Sequence, residues 1–233
     1  MLDPEITFLN HGSYGACPIS VFDDYQKWQK ELEQQPVQFM TENLWKYLKR
    51  SRQYIGEYIN CPERDILLFP NPTTAVNNIF DNLHLSNGDE VLMTQHEYGA
   101  LVRAWSNASK KNKFKIVQQE ISMPVKTKGD FIDQFLSGVN SNTKVIFISH
   151  ITSQTALIFP VDEICKYAKK KDIITIVDGA HAPGHINLDL KKMNCDYYTG
   201  ACHKWLCAPK GASFLYVRRE LQNNMTPQTV SWG

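Results

Sequence analysis

The sequence predicts an α/β protein: a mostly parallel, seven-stranded sheet flanked by helices and preceded by an N-terminal helical segment. Three observations carry that prediction. Seven short runs rich in Ile, Val, Phe and Tyr lie along the chain, as expected for strands covered on both faces. Amphipathic stretches separate several of them, and strand alternating with helix means a parallel sheet with right-handed crossovers. Before the first run, two stretches carry a helical apolar rhythm.

The helical segment comes first. Val21–Gln35 and Leu44–Ile59 place their apolar residues at three- and four-residue steps, as in Leu44, Tyr47, Leu48, Ile55 and Tyr58. The strand runs follow at Ile66–Phe69, Val91–Met93, Lys115–Gln118, Lys144–His150, Ile173–Asp178, Cys195–Thr199 and Ser213–Val217. Asn71, Thr73 and Thr74 open a helix that carries Val76, Ile79, Phe80 and Leu83. Val161–Lys170 reads as another, with Val161, Ile164, Cys165 and Ala168 on one stripe. Residues 1–60 are thus the helical segment and 61–233 the α/β unit, with no internal repeat and no low-complexity linker.

Composition bounds the function. A chain of 233 residues with 42% hydrophobic and 21% charged residues suits one large domain with a sizeable core. Lys plus Arg is 25 against Asp plus Glu 24, so no broad field attracts nucleic acid or an anionic membrane, and any anion is gripped locally. No apolar run approaches the length of a membrane span. The acidic start MLDPEITFLN argues against a secretory leader. Six scattered cysteines argue against a disulfide framework, so the expected setting is the reducing cytoplasm.

Ligands of open α/β sheets bind beyond the carboxyl ends of the strands. Five of those exits carry polar, titratable and aromatic residues: PNPTTAVNN, TQHEYGA, SHITSQTA, DGAHAPGH and TGACHKW. Lys204, between His203 and Trp205, stands beside apolar chain; low-dielectric walls there favour a neutral amine able to form a Schiff base with an aldehyde. Asp178 ends the run IITIV, where a carboxylate needs a cation, and a protonated pyridine nitrogen is one such partner. His181 can bond a phenolic oxygen on the same ring. Thr73 and Thr74 at a helix start make a phosphate site, and Tyr98 or His96 can stack on a flat ring. Each has an ordinary reading when taken alone: solvated lysine, turn or cap residue, loop histidine, core aromatic. Cys202, His203 and Cys207 raise a zinc site, but C-x4-C with one internal His lacks a second ligand pair at the usual spacing.

Together these parts resemble the class V aminotransferase group of pyridoxal-phosphate enzymes (fold type I), in its isopenicillin N epimerase-like branch, with cysteine desulfurases and C–S lyases as cousins. The resemblance lies in FLNHGSYGA (8–16), QPVQF (35–39), NPTTAVN (71–77), HEYGA (96–100), SHITSQTALIFPV (149–161), VDGAHAPG (177–184) and TGACHKWLCAPKG (199–211). It implies that Lys204 is the Schiff-base lysine and that Asp178 pairs with the pyridinium nitrogen. By the same resemblance His181 bonds the ring oxygen, Ser153 stands beside it, Tyr98 stacks on the ring, and Thr73, Thr74 and His203 line the phosphate. Asn10 and His11 approach the substrate side. Metal has no place in this reading. An amino-acid substrate and a homodimer are expected.

Two departures stand out. Ala201 occupies a position where the cousins often carry a phosphate-binding Ser or Thr. The chain is also expected to lack the smaller C-terminal domain that usually supplies the arginine gripping the substrate carboxylate; Arg218 and Arg219 lie near its end. Epimerisation at Cα, C–S cleavage and transamination share the same cofactor parts and stay open. The competing classes are a truncated, non-catalytic cofactor-fold protein and a zinc hydrolase.

Overall fold

Where β-branched and aromatic runs were expected to pair, they build one sheet of seven strands in the order β1-β7-β6-β5-β4-β2-β3. The computed structural model describes residues 1–223 and 225–230. The elements run α1 (Ile19–Gln34), α2 (Pro36–Gln38), a π-helical turn (Phe39–Asn43), α3 (Leu44–Ile59), β1 (Ile66–Phe69), α4 (Pro72–Phe80), β2 (Glu90–Thr94) and α5 (Gly99–Asn112). They continue with β3 (Lys115–Gln119), α6 (Lys128–Leu136), β4 (Thr143–Ser149), α7 (Val161–Lys169), β5 (Ile174–Asp178), α8 (Leu190–Met193), β6 (Tyr197–Ala201), β7 (Ser213–Val217) and α9 (Arg219–Gln222).

Strands β3, β2, β4, β5 and β6 are parallel, and β7 runs antiparallel to both β6 and β1. β1 is therefore parallel to the main body, and the carboxyl ends of β1, β2, β4, β5 and β6 share one edge of the sheet. The β6–β7 connection leaves and returns at that same edge, because Ala201 pairs with Ser213. This topology brings segments distant in sequence to one place.

Alternation of side chains explains why both faces are covered. In β4, Val145 and Phe147 join Val76 and Ile79 of α4 and Leu101 and Trp105 of α5 in one core. Ile146 and Ile148 face the other way, into a core with Phe131 and Phe135 of α6 and the Val161, Ile164, Cys165 and Ala168 stripe of α7. A strand buried on both faces has no polar face, hence the continuous apolar runs in the sequence. Ile59 at the end of α3 is fully buried in the second of these cores, so the helical segment is anchored to the sheet. By contrast α1 buries none of its residues.

Element boundaries differ from the sequence reading in instructive ways. β6 begins two residues later than the apolar run Cys195–Thr199 and extends through Gly200 and Ala201. Asn194 is left-handed at the end of α8, and the Asp196 carboxylate accepts the Thr175 N–H at 2.8 Å and the Thr175 hydroxyl at 2.9 Å; the ladder with β5 starts only at Tyr197. The gap between the two predicted N-terminal helices is itself helical, through α2 and the π turn. α4 matches its sequence signal in detail: Asn71 caps it, Pro72 opens it, and Val76, Ile79 and Phe80 are buried.

Candidate active site

The five strand exits converge on a cavity of about 580 Å³, lined among others by Thr73, Thr74, Tyr98, Asp178, His203 and Lys204. Ser153 and His181 line it as well. That volume suits a small-molecule ligand. An adjoining recess shares Tyr98, Ser153, His181 and Lys204 and adds Asn10, His185 and Trp205. Asn10 thus reaches the site. His11 does not line either space; its Nδ1 accepts the Ala16 N–H at 3.3 Å and its ring packs edge-on against Phe8.

Asp178 sits at the very end of β5, paired in register with Ser149 of β4 and Thr199 of β6. Its Oδ1 accepts the Ala180 N–H at 3.0 Å, and no cation contacts it among the described residues. Burial pushes its acid form up from the ordinary aspartate value, against the pull of the Lys204 charge. Gly179 has to be glycine: a Cβ there would lie 2.2 Å from the Tyr198 ring, and Tyr198 Oη is held at 2.9 Å by His150 Nδ1. Burial lowers His150 to about 4, so that ring is neutral near pH 7.

Lys204 leaves β6 on the connection to β7. Its Nζ lies 3.1 Å from His181 Nε2 and 6.0 Å from the centre of the Tyr98 ring. Burial favours its neutral amine, and Asp178 opposes that shift. His181 is lowered to about 4 by burial first and then by Lys204 and His185. At the far wall, Asn71 Oδ1 accepts the Thr74 N–H at 2.8 Å and its hydroxyl at 3.0 Å, and the first turn of α4 presents Thr73 and the positive end of its dipole to the cavity. Of Tyr98 and His96, Tyr98 lines the cavity: the His96 ring packs near Phe159, and its buried Nε2 has no partner among the described residues.

The N-terminal loop closes over this edge. Gly15 has φ +71°, and a Cβ there would lie 1.8 Å from the His203 carbonyl oxygen. Lys210 Nζ donates to the Gly15 carbonyl at 2.9 Å. Gly15→Ala is expected to lift the loop off His203 and Lys204 and to cost about 2 kcal/mol or more, since it adds a clash to the ordinary penalty of a left-handed residue. Thermal unfolding of the two proteins checks this.

Five residues singled out in the sequence line neither space. Arg218 ion-pairs with Asp196, and Arg219 with Asp65 at 2.6 Å. Because β7 runs backwards, both fall at the edge opposite the cavity. Ala201 is fully buried at the end of β6. Cys202 is buried with its thiol pushed up to about 12, and Cys207 Sγ donates to the Trp205 carbonyl at 3.6 Å. Among the described residues, no three of His, Cys, Asp and Glu come together as a metal site.

The model of the family described as Aminotransferase class-V matches residues 16–231. The chain belongs to that family. Isopenicillin N epimerase from Amycolatopsis lactamdurans is 32% identical over 237 residues, covering 100% of this chain and 59% of that protein. A probable chloroplastic L-cysteine desulfhydrase of Arabidopsis thaliana is 28% identical, covering 93% of this chain and 49% of its own length. Among solved structures, the cystine C–S lyase C-DES, in complex with its product cysteine persulfide, superposes with a TM-score of 0.89 at 22% identity, over 97% of this chain and 60% of that one. This class V chain thus spans roughly half to three-fifths of the length of these relatives.

In and beside the cavity stand residues that the sequence reading passed over. Glu97, between His96 and Tyr98, is buried, and no cation pairs with it among the described residues. Its carboxylate accepts the Thr94 hydroxyl at 2.6 Å, the Ser149 N–H at 2.8 Å and the Ser149 hydroxyl at 2.5 Å. An acid between two aromatics at a strand exit was the available signal. Trp205 and Lys210 were also missed, although both lie within the HKWLCAPKG segment that drew attention to Lys204.

Proposed function

We propose that this protein is a pyridoxal-phosphate enzyme acting on an amino acid, isopenicillin N epimerase-like in its chemistry, with Lys204 as the covalent anchor. What carries the reading is a single cavity that joins an amine whose neutral form burial favours, a buried acid that no cation contacts among the described residues, and a helix N-terminus. The residues fit the cofactor. When bound, it supplies an electron sink that acidifies the hydrogen on the substrate carbon beside nitrogen.

Each residue then has a task of its own. Asp178 would hold a proton on a ring nitrogen, a cation for its charge. Thr73, Thr74 and His203 would hold the phosphate, with Lys210 adding positive charge on the same wall. Tyr98 would cover the ring, and His181 and Ser153 would serve its oxygen. Asn10 lies on the substrate side, and His11 supports that loop. Lys204, whose neutral amine burial favours, would serve as base for the Cα proton on its own face of the substrate. Residues 61–233 form the cofactor-binding unit, with 1–60 packed on it. A homodimer and a cytoplasmic setting belong to the same reading; the six unpaired cysteines fit a reducing compartment, and among the described residues no helix is long and apolar enough to cross a membrane.

A C–S lyase reading has support of its own in the desulfhydrase relatives and the C-DES fold. The test has two stages. Added pyridoxal phosphate should absorb in the visible, and borohydride should leave its mass on Lys204, with Lys204→Ala losing both signals. Label on Lys210 instead would overturn the assignment. Inversion of configuration at Cα with deuterium incorporation and no sulfide release then supports epimerisation, and sulfide release supports lyase chemistry.

A further inference from the structure

His181 lies between two partners that constrain it jointly. Trp205 Nε1 donates to His181 Nδ1 at 3.2 Å, and Lys204 Nζ lies 3.1 Å from His181 Nε2. An indole N–H is a donor only, so Nδ1 has to accept; a neutral imidazole with an accepting Nδ1 carries its hydrogen on Nε2. That hydrogen points at Lys204. An ammonium has no lone pair to receive it, whereas a free amine does. Both contacts hold together only when Lys204 is unprotonated.

We propose that Trp205 is a positioning residue that fixes the tautomer of His181, so that an N–H and not a lone pair faces Lys204. The same N–H is then available to an anionic oxygen entering the cavity. The functional weight of this rests on the reading of Lys204 given above; the tautomer itself does not.

The surroundings hold Trp205 for this task. Its ring lies against His185, with centroids 4.0 Å apart and the planes tilted by 30°. Gly184, at φ +86°, lets the chain after His181 pass close to the Trp205 backbone, where a Cβ would come within 2.6 Å. Gly12 approaches the indole from the N-terminal loop, its Cβ position being 3.1 Å from the ring. The charged and titratable groups facing the His181–Lys204 pair are Asp178 from β5, Tyr98 beyond β2, and His185. Asp178 favours the ammonium, so the Trp205–His181 contact works against it.

Nitrogen-15 NMR of the histidine rings in the cofactor-free chain reads the tautomer directly. The expected result is a bare Nδ1 and a hydrogen-bearing Nε2 in His181. Trp205→Phe keeps the stacking surface and removes the donor. It should abolish that preference and slow cyanate labelling of Lys204 at neutral pH by about tenfold, as tryptic mass spectrometry would show. A hydrogen on Nδ1 in the wild-type chain overturns the proposal, whether or not the variant folds. So does a variant with unchanged tautomer and labelling. Should the tautomer stand while pyridoxal phosphate fails to attach to Lys204, the functional reading falls and this one survives.

Discussion

Asp178→Asn is expected to make the cofactor-free protein more stable at neutral pH while cutting turnover by roughly 10²–10³-fold, the usual cost of removing one charge aimed at the reacting system. The opposite signs have one cause. Among the described residues, Asp178 is buried with a single backbone donor on Oδ1 and no contacting cation. Its acid form is pushed above the ordinary value of 3.8, so the unfolded chain ionises first. Stability from this group is complete below that value and is lost as pH rises through the folded value. Asn avoids the loss, and its amide oxygen still accepts the Ala180 N–H. It cannot hold a ring proton by charge. Urea denaturation at pH 4 and 7.5 should show the stability advantage growing with pH, and a lyase or epimerase assay should show the loss. A variant less stable than the parent at pH 7.5, or one with parental turnover, would contradict the role.

Much of this arrangement was legible because strand exits obey a topological rule that needs no coordinates. Asp178, Lys204, Tyr98 and Thr73 each follow an apolar run, and a mostly parallel sheet puts those ends on one edge. Hydrophobic pattern alone does not say which edge a strand faces, and β7 shows the consequence. It is reversed, so Arg218 and Arg219, adjacent in sequence to the last strand, end at the far edge in ion pairs with Asp196 and Asp65. Boundaries failed where side-chain hydrogen bonds replace the ladder, as at Asp196 before β6. Glu97 and Trp205 escaped notice because their roles come from partners far along the chain: Ser149 lies 52 residues from Glu97, and His181 lies 24 from Trp205. Local sequence holds no record of such pairs.

Glu97→Gln tests the least expected of those pairs through its own pH dependence. Burial raises the Glu97 acid from its ordinary 4.5 to about 7, aided by the Asp178 charge and opposed by the Ser149 and Thr94 hydrogen bonds. The neutral acid is the form the fold prefers. Its contribution is full below 4.5 and disappears as pH climbs through about 7, a loss of roughly 3 kcal/mol across that window. Gln has nearly the same shape. Its oxygen can accept both Ser149 donors, and its amide can donate to Thr94 Oγ1, which already accepts the His96 N–H. The variant should therefore lack the decline, matching the parent near pH 4.5 and exceeding it by about 3 kcal/mol above pH 8 in urea titrations. Glu97→Ala supplies the contrast: it strands the Ser149 N–H and two hydroxyls at every pH, and each unpaired donor costs about 1–3 kcal/mol. Ser149 is the register partner of Asp178, so the Ala variant should also disturb the acid that faces the cavity. If parent and Gln variant keep a constant difference from pH 4.5 to 8, Glu97 carries no proton of its own in this window, and its service to the site is purely geometric.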